Sequence, residues 1–164
     1  MQQQLCVAQY MIVMELLLKE LSENVLETLG KGQREAVYQR ALSTALNRRG
    51  VFHRTQVDCP IMYMGECVGV GHADLVVDNL VVELKVLQRV PAGASDQLQK
   101  YVESLQRTEG RPFRGLVLNF NSLTGQVDMP SPPGVSPFFD PISPMYSPGG
   151  KQVAFFQRGP SLNQ

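Results

Sequence analysis

Histidine and cysteine are scarce in this 164-residue chain: His53 and His72 are its histidines, and Cys6, Cys59 and Cys67 its cysteines. Two histidines argue against a histidine-rich zinc site, and the three cysteines show no metal-ligand spacing. Their odd number, with no signal-peptide pattern, argues against a disulfide framework. It points to a reducing, intracellular compartment, cytoplasm or nucleus, rather than secretion. Charge of either sign is also lacking in excess. Fifteen Lys and Arg balance fifteen Asp and Glu, and the sequence pI is near 6.7. A global basic signature of nucleic-acid binding is therefore absent, and such binding would rest on a local patch. Two clusters are candidates: Arg48-Arg49 with His53-Arg54, and Lys100, Arg107, Arg111 and Arg114. Clusters this small are more often solvated surface. The apolar stretch 6–18 is interrupted by Gln9 and Glu15, lacks a basic flank and is too short to span a bilayer. It is expected to be a buried helix, with no membrane partner. There is no internal repeat, no glycine loop of Walker type and no Ser-His-Asp arrangement.

What is present suits one domain. A chain of this length can bury a proper core but not two comfortable ones. Apolar spacing predicts a helix over 5–29, with Leu17, Leu21, Val25 and Leu29 at helical intervals and Gly30-Lys31-Gly32 ending it. A second helix is expected over 33–49, stopping at Gly50. Its stripe Glu35, Tyr38, Leu42, Ala45 puts an acid on a core-directed face. Tyr38 is expected in the core, with a hydroxyl that needs a partner. Strands follow over 51–63, with Pro60 marking an edge or bulge, then 67–77 and 80–87. Ser95 is placed to cap a third helix over 96–108, and 114–120 is another strand. The order reads as α/β with a mixed sheet. Residues 1–129 form the expected domain. Seven of the eleven prolines lie between Pro130 and Pro148, so 130–164 reads as a Pro/Ser/Gly-rich tail with a return strand near 151–158 as one option. That tail is either poorly ordered or a docking segment for a partner.

The most informative stretch runs from His72 to Val86. Two apolar β-branched runs are split by Asp78-Asn79, suitable for a two-residue hairpin turn. That register puts Val77 against Leu80, Val76 against Val81, Asp74 against Glu83 and His72 against Lys85. Asp74, Glu83 and Lys85 then share one face, and Leu75, Val77, Val82, Leu84 and Val86 the other. A one-residue slip would separate the two carboxylates. Like charges directly opposed destabilise a sheet. A hard divalent cation between them reverses that sign, because Mg²⁺ takes oxygen ligands, often one or two carboxylates. Two carboxylates, a lysine and open metal positions suit phosphodiester hydrolysis. Alternating charge on a solvated strand is the plain alternative, although the Leu-Val-Val flanks favour a buried hairpin.

Gly32-Gln-Arg-Glu35-Ala-Val-Tyr38 resembles the signature of the GxxExxY proteins, a family of the PD-(D/E)XK nuclease superfamily. The resemblance continues through Ala73-Asp74, Val82-Glu83-Leu84-Lys85 and Gln97-Leu98-Gln99-Lys100-Tyr101, and ends near Leu118-Asn119-Phe120. It implies a restriction-endonuclease-like core: helix, three-stranded meander, helix, strand, here with an extra N-terminal helix and the Pro-rich tail. It implies a Mg²⁺- or Mn²⁺-dependent nuclease acting on nucleic acid, with DNA expected before RNA as the partner although the residues themselves do not distinguish the two. Asp74 and Glu83 would ligate the metal, with the backbone carbonyl of Leu84, and Lys85 would position the attacking water. Glu35 resembles the acid sent from the first core helix. Gln97 and Tyr101 resemble polar residues lining the site, and His72 stands where relatives often carry an arginine or aromatic; it is a phosphate contact or a structural histidine. Ala73 replaces the proline of the superfamily's name. A catalytically silent module that binds nucleic acid or a partner protein is the alternative function, and a homodimer or larger complex is compatible with the apolar first helix.

Overall fold

The computed structural model describes residues 2–130, so the suggested return strand near 151–158 lies outside the described residues. The elements are α1 (Gln2–Leu29), α2 (Glu35–Arg48), β1 (Arg54–Tyr63), β2 (Glu66–Val77), β3 (Leu80–Lys85), α3 (Ala92–Glu109), β4 (Arg114–Phe120) and β5 (Val127–Asp128). The strands form one sheet in the order β1-β2-β3-β4-β5. Strands β3 and β4 are parallel and the other neighbours antiparallel. A parallel pair needs a long crossover, and α3 supplies it. Strand β5 was not expected, because two residues carry no periodicity. It is held by Asn121 Nδ2, which donates to Asp128 Oδ2 at 2.8 Å.

Both faces of the sheet are covered, so it is the interior of a three-layer α/β domain. On one face α1 and α2 pack Leu18, Leu21, Tyr38, Leu42 and Leu46 onto Leu75, Val77, Leu80, Val82, Leu84 and Leu118. On the other, α3 packs Leu98, Val102 and Leu105 onto Val76, Val81 and Val117. Tyr38 is a core residue, stacked on Phe120 with ring centroids 4.2 Å apart. Its hydroxyl donates to the Gly30 carbonyl at 2.6 Å, which satisfies the buried group. The two-residue turn is formed as expected, with Val77 paired to Leu80 and Asp78 at φ 54°. Arg111 clamps it by donating to the Asp78 carbonyl at 3.0 Å. Strand β1 is an edge strand and its register shifts between Ile61 and Met62, next to Pro60.

Two sequence expectations are corrected. The buried stripe of α1 runs through Met11, Met14, Leu18, Leu21 and Val25, while Leu29 is 36% exposed. Steps of four residues drift about 40° around a helix of 3.6 residues per turn, whereas alternating steps of three and four hold one line. Helix α3 begins at Ala92 behind Pro91, with no side-chain cap, rather than behind Ser95. Pro91 has φ −71° and extended ψ, and its carbonyl accepts the Ala94 N–H at 3.1 Å. The proline thus starts the helix one turn early and leaves Ser95 inside it.

Helix α3 lies close on β4 because Gly115 lacks a Cβ. An added Cβ would stand 2.7 Å from Leu98 Cγ. Gly115→Ala is expected to destabilise the fold by about 1–3 kcal/mol through overpacking. Gly69→Ala, whose nearest atom is 3.7 Å away, should stay within about 0.5 kcal/mol of wild type. Urea unfolding of the two variants checks the contrast.

Candidate active site

Strands β2 and β3 stay paired through Val77↔Leu80, Val76↔Val81 and Leu75↔Val82, and the ladder ends there. Beyond it, β2 continues only with β1, and β3 continues with β4 as far as Lys85↔Asn119. A notch opens between the two strands. The expected direct pairing of Asp74 with Glu83 and of His72 with Lys85 is therefore replaced. The Asp74 carboxylate takes the position of a ladder acceptor, its Oδ2 receiving the Leu84 N–H at 2.9 Å. His72 instead pairs with Asp58 of β1, its Nδ1 2.9 Å from Asp58 Oδ1, and both side chains are more than half exposed. It stands away from Lys85 as a surface residue.

Asp74 is held from three directions. Gln39, one turn after Glu35 on α2, donates to the Asp74 carbonyl at 2.6 Å. Gln56 of β1 donates to Asp74 Oδ1 at 3.2 Å. Leu84 supplies the third bond. The N–H and C=O of one strand residue point to the same edge. The Leu84 carbonyl is accordingly turned toward the notch, on the Asp74 side.

Glu83 and Lys85, two residues apart on β3, share the face that meets the notch. Their side chains are 4% and 19% exposed and meet at 2.7 Å between Oε1 and Nζ. The second oxygen, Glu83 Oε2, is buried without a hydrogen-bond partner. Burial pushes the Glu83 carboxyl above its ordinary value of 4.5; the Lys85 hydrogen bond opposes this and the charges of Asp74 and Glu35 add to it. Burial works against the Lys85 cation, but Glu83, Glu35 and Asp74 outweigh it and hold the ammonium above its usual range. Glu35, first residue of α2, is likewise raised by burial; Lys85 counters the rise and the Asp74 charge adds to it. Glu35, Asp74, Glu83 and Lys85 are thus brought within electrostatic reach of one another.

Gln97 and Tyr101 hydrogen-bond to each other on α3, at 2.7 Å. The Tyr101 ring lies on Gly71 of β2, where an added Cβ would come 2.5 Å from Cε1. They flank the β2 side of the notch and make no hydrogen bond to its carboxylates. Three positioning residues escaped the sequence. Gln39 carried a signal, its spacing of four from Glu35. Asn119 lay at the end of the family resemblance. It is fully buried and clamps the exit of β3, with Oδ1 accepting the Leu87 N–H at 2.9 Å and Nδ2 donating to the Leu87 carbonyl at 3.0 Å. Gln56 carried no signal at all.

The basic clusters are only partly neutralised: among the described residues Arg48, Lys100 and Arg107 are exposed without an ion pair, whereas four other members are paired. Arg49 pairs with Glu20 at 2.6 Å, Arg54 with Glu109 at 2.7 Å, Arg111 with Glu109 at 3.0 Å and Arg114 with Glu15 at 3.6 Å. Burial works against the Glu109 charge, but Arg54 and Arg111 prevail and hold its carboxyl below the usual range. His53 binds Ser43 at 2.7 Å. A cleft of about 660 Å³ between α1 and the loop before β5, lined by Lys19, Glu23, Lys31 and Val127 among others, shares no residue with the notch. Its lining mixes Lys19 and Lys31 with Glu23 and Glu27 and holds none of the residues of the hairpin, so the notch is the candidate site.

The donors present fit a hard divalent cation. Among the described residues no three His, Cys, Asp or Glu side chains group as a ready ligand cluster. Two carboxylates and a strand carbonyl are nevertheless a set that Mg²⁺ accepts, with water completing its shell. The orphaned Glu83 Oε2 is the observation that asks for such a partner, since a buried carboxylate oxygen without one is costly.

A family model described as the PD-(D/E)XK nuclease superfamily matches residues 13–129. No curated protein and no solved structure matches the chain.

The raised Glu83 and Glu35 carboxyls set the direction of a pH effect. A folded-state value above the unfolded one means that the metal-free fold binds the proton more tightly. Stability is then present at low pH and falls as pH rises from about 4.5 upward through the raised values. Unfolding in EDTA across pH 4–8 should show this fall, and Glu83→Gln should flatten it. An identical slope in the variant would refute the assignment.

Proposed function

This chain belongs to the PD-(D/E)XK nuclease superfamily, and from that premise we propose that it is a divalent-metal-dependent nuclease acting at the β2–β3 notch. The observation that carries the reading is the buried Glu83 carboxylate, one oxygen paired to Lys85 and the other without a partner. Asp74, Glu83 and the Leu84 carbonyl would hold Mg²⁺ or Mn²⁺. When bound, the ion supplies Lewis-acid charge at the scissile phosphate.

The chain's own residues supply the rest. Lys85, kept protonated by its carboxylate neighbours, is a donor rather than a base. Its ammonium orients the attacking water and meets negative charge that develops on phosphate oxygen. Glu35 enters from α2 as a further acidic group facing the same charges. Gln97 and Tyr101, on the α3 wall, are the candidates for phosphate contact. The exposed His72 is a peripheral contact at most. The motif Gly32-Gln-Arg-Glu35-Ala-Val-Tyr38 supports placing the chain among the GxxExxY proteins. The catalytic unit in this reading is residues 1–129, working inside the cell on nucleic acid, DNA before RNA, alone or within a dimer or larger assembly.

The test is cleavage of single- and double-stranded DNA and RNA with Mg²⁺, Mn²⁺ or EDTA. Cleavage should require the metal. It should fall about 10²–10³-fold in Lys85→Ala, the scale of losing one donor to a developing charge. Asp74→Ala, shown to be folded, should remove it. Absent cleavage on all four substrates would favour the silent binding module, and cleavage that persists in EDTA would overturn the metal-dependent reading.

A further inference from the structure

Gln56 is the third residue of edge strand β1 and has φ 51°, a left-handed conformation that residues other than glycine rarely adopt. It faces Asp74, between the pairs Thr55↔Leu75 and Val57↔Ala73. At this point the sheet loses its alternation. Ala73 packs on the α3 side, whereas Leu75, two residues on, packs on the α1–α2 side. Residues two apart on a regular strand share a face. The strands therefore twist through an irregularity centred on Gln56 and Asp74. Strained backbone of this kind persists only where its surroundings maintain it, and it gathers at functional sites.

The Gln56 amide donates to Asp74 Oδ1 at 3.2 Å, and the Leu84 N–H donates to Oδ2 at 2.9 Å. The terminal torsion of an aspartate is broad, so one anchor leaves the carboxylate free to swing and two define its plane. An amide does this without a charge of its own, unlike arginine or lysine, so the carboxylate keeps its full attraction for a cation. A carboxylate has roughly four acceptor positions. Two are used here, by Gln56 and Leu84, and the remainder are left for a further partner.

We propose that Gln56 is the positioning residue that orients Asp74 for the divalent cation, and that the left-handed backbone exists to bring its amide there. This rests on the nuclease reading of the notch. Groups that hydrogen-bond to a metal ligand set its orientation, and losing one typically weakens metal affinity 10–100-fold.

The test is Mn²⁺ titration calorimetry, with melting temperatures, on wild type, Gln56→Gly, Gln56→Asn and Asp74→Ala. Glycine accepts the positive φ and removes the amide; asparagine tolerates the same φ but is one methylene too short. Both should melt at or above the wild-type temperature and bind Mn²⁺ about 10–100-fold more weakly. Wild-type affinity in folded Gln56→Gly would overturn the inference. So would an affinity loss that merely tracks a lower melting temperature, because Gln56 would then be structural. If wild type binds no Mn²⁺, or Asp74→Ala binds it unchanged, the nuclease reading itself falls and takes the role of Gln56 with it.

Discussion

The hydrogen bond from the Leu84 N–H to the Asp74 carboxylate decides the shape of this domain's working end. It satisfies a buried strand donor that would otherwise need a backbone carbonyl, and so lets β2 leave β3 without orphaning that N–H. Beyond it β2 follows β1 and β3 follows β4. The gap that results lies where Glu83 and Lys85 leave the covered part of the sheet.

Burying Glu83 there is expensive. The strand that carries it is flanked by Val82 and Leu84, both fully buried, and covered by helices on both faces. Removing a carboxylate from water is tolerated only with a partner, and Lys85 partners one oxygen. The same environment keeps Lys85 cationic. The pair therefore gives a site that is strongly charged inside a chain of zero net charge. Among the described residues Arg49, Arg54, Arg111 and Arg114 are tied to carboxylates at Glu20, Glu109, Asp78 and Glu15, while Arg34, Arg40, Arg48, Arg89 and Arg107 are exposed without an ion pair. Exposed pairs of this kind contribute little to stability. In this reading the notch, with three carboxyl groups and one lysine, draws phosphate through the ion it holds, and the exposed unpaired arginines supply further positive charge.

Much of the architecture was legible because it rests on local rules. The Asp78-Asn79 turn, the β-branched runs on either side and the glycine stops gave strands and helices close to those observed, and Tyr38 was correctly expected in the core with a bonded hydroxyl. The errors have physical causes. The α1 stripe was read with steps of four, which drift around the helix. The α3 start was assigned to a serine when Pro91 had already set the backbone. His72 was placed opposite Lys85 by counting along an ideal hairpin, and the hairpin is not ideal past Leu75. Gln39 and Asn119 were missed because their partners, the Asp74 carbonyl and Leu87, lie 35 and 32 residues away in sequence.

The sequence by itself determined the α/β class, the hairpin turn and the membership of Asp74, Glu83 and Lys85 in one hairpin. Period, turn chemistry and charge in an apolar run are properties of neighbouring residues, and a short window contains them. Only the tertiary structure decided where β2 and β3 part, which oxygen of Glu83 lacks a partner, and that Gln56 takes a left-handed backbone to reach Asp74. Those outcomes follow from competition among strands and helices for the same donors and the same buried space. That competition exists only once distant segments are packed together.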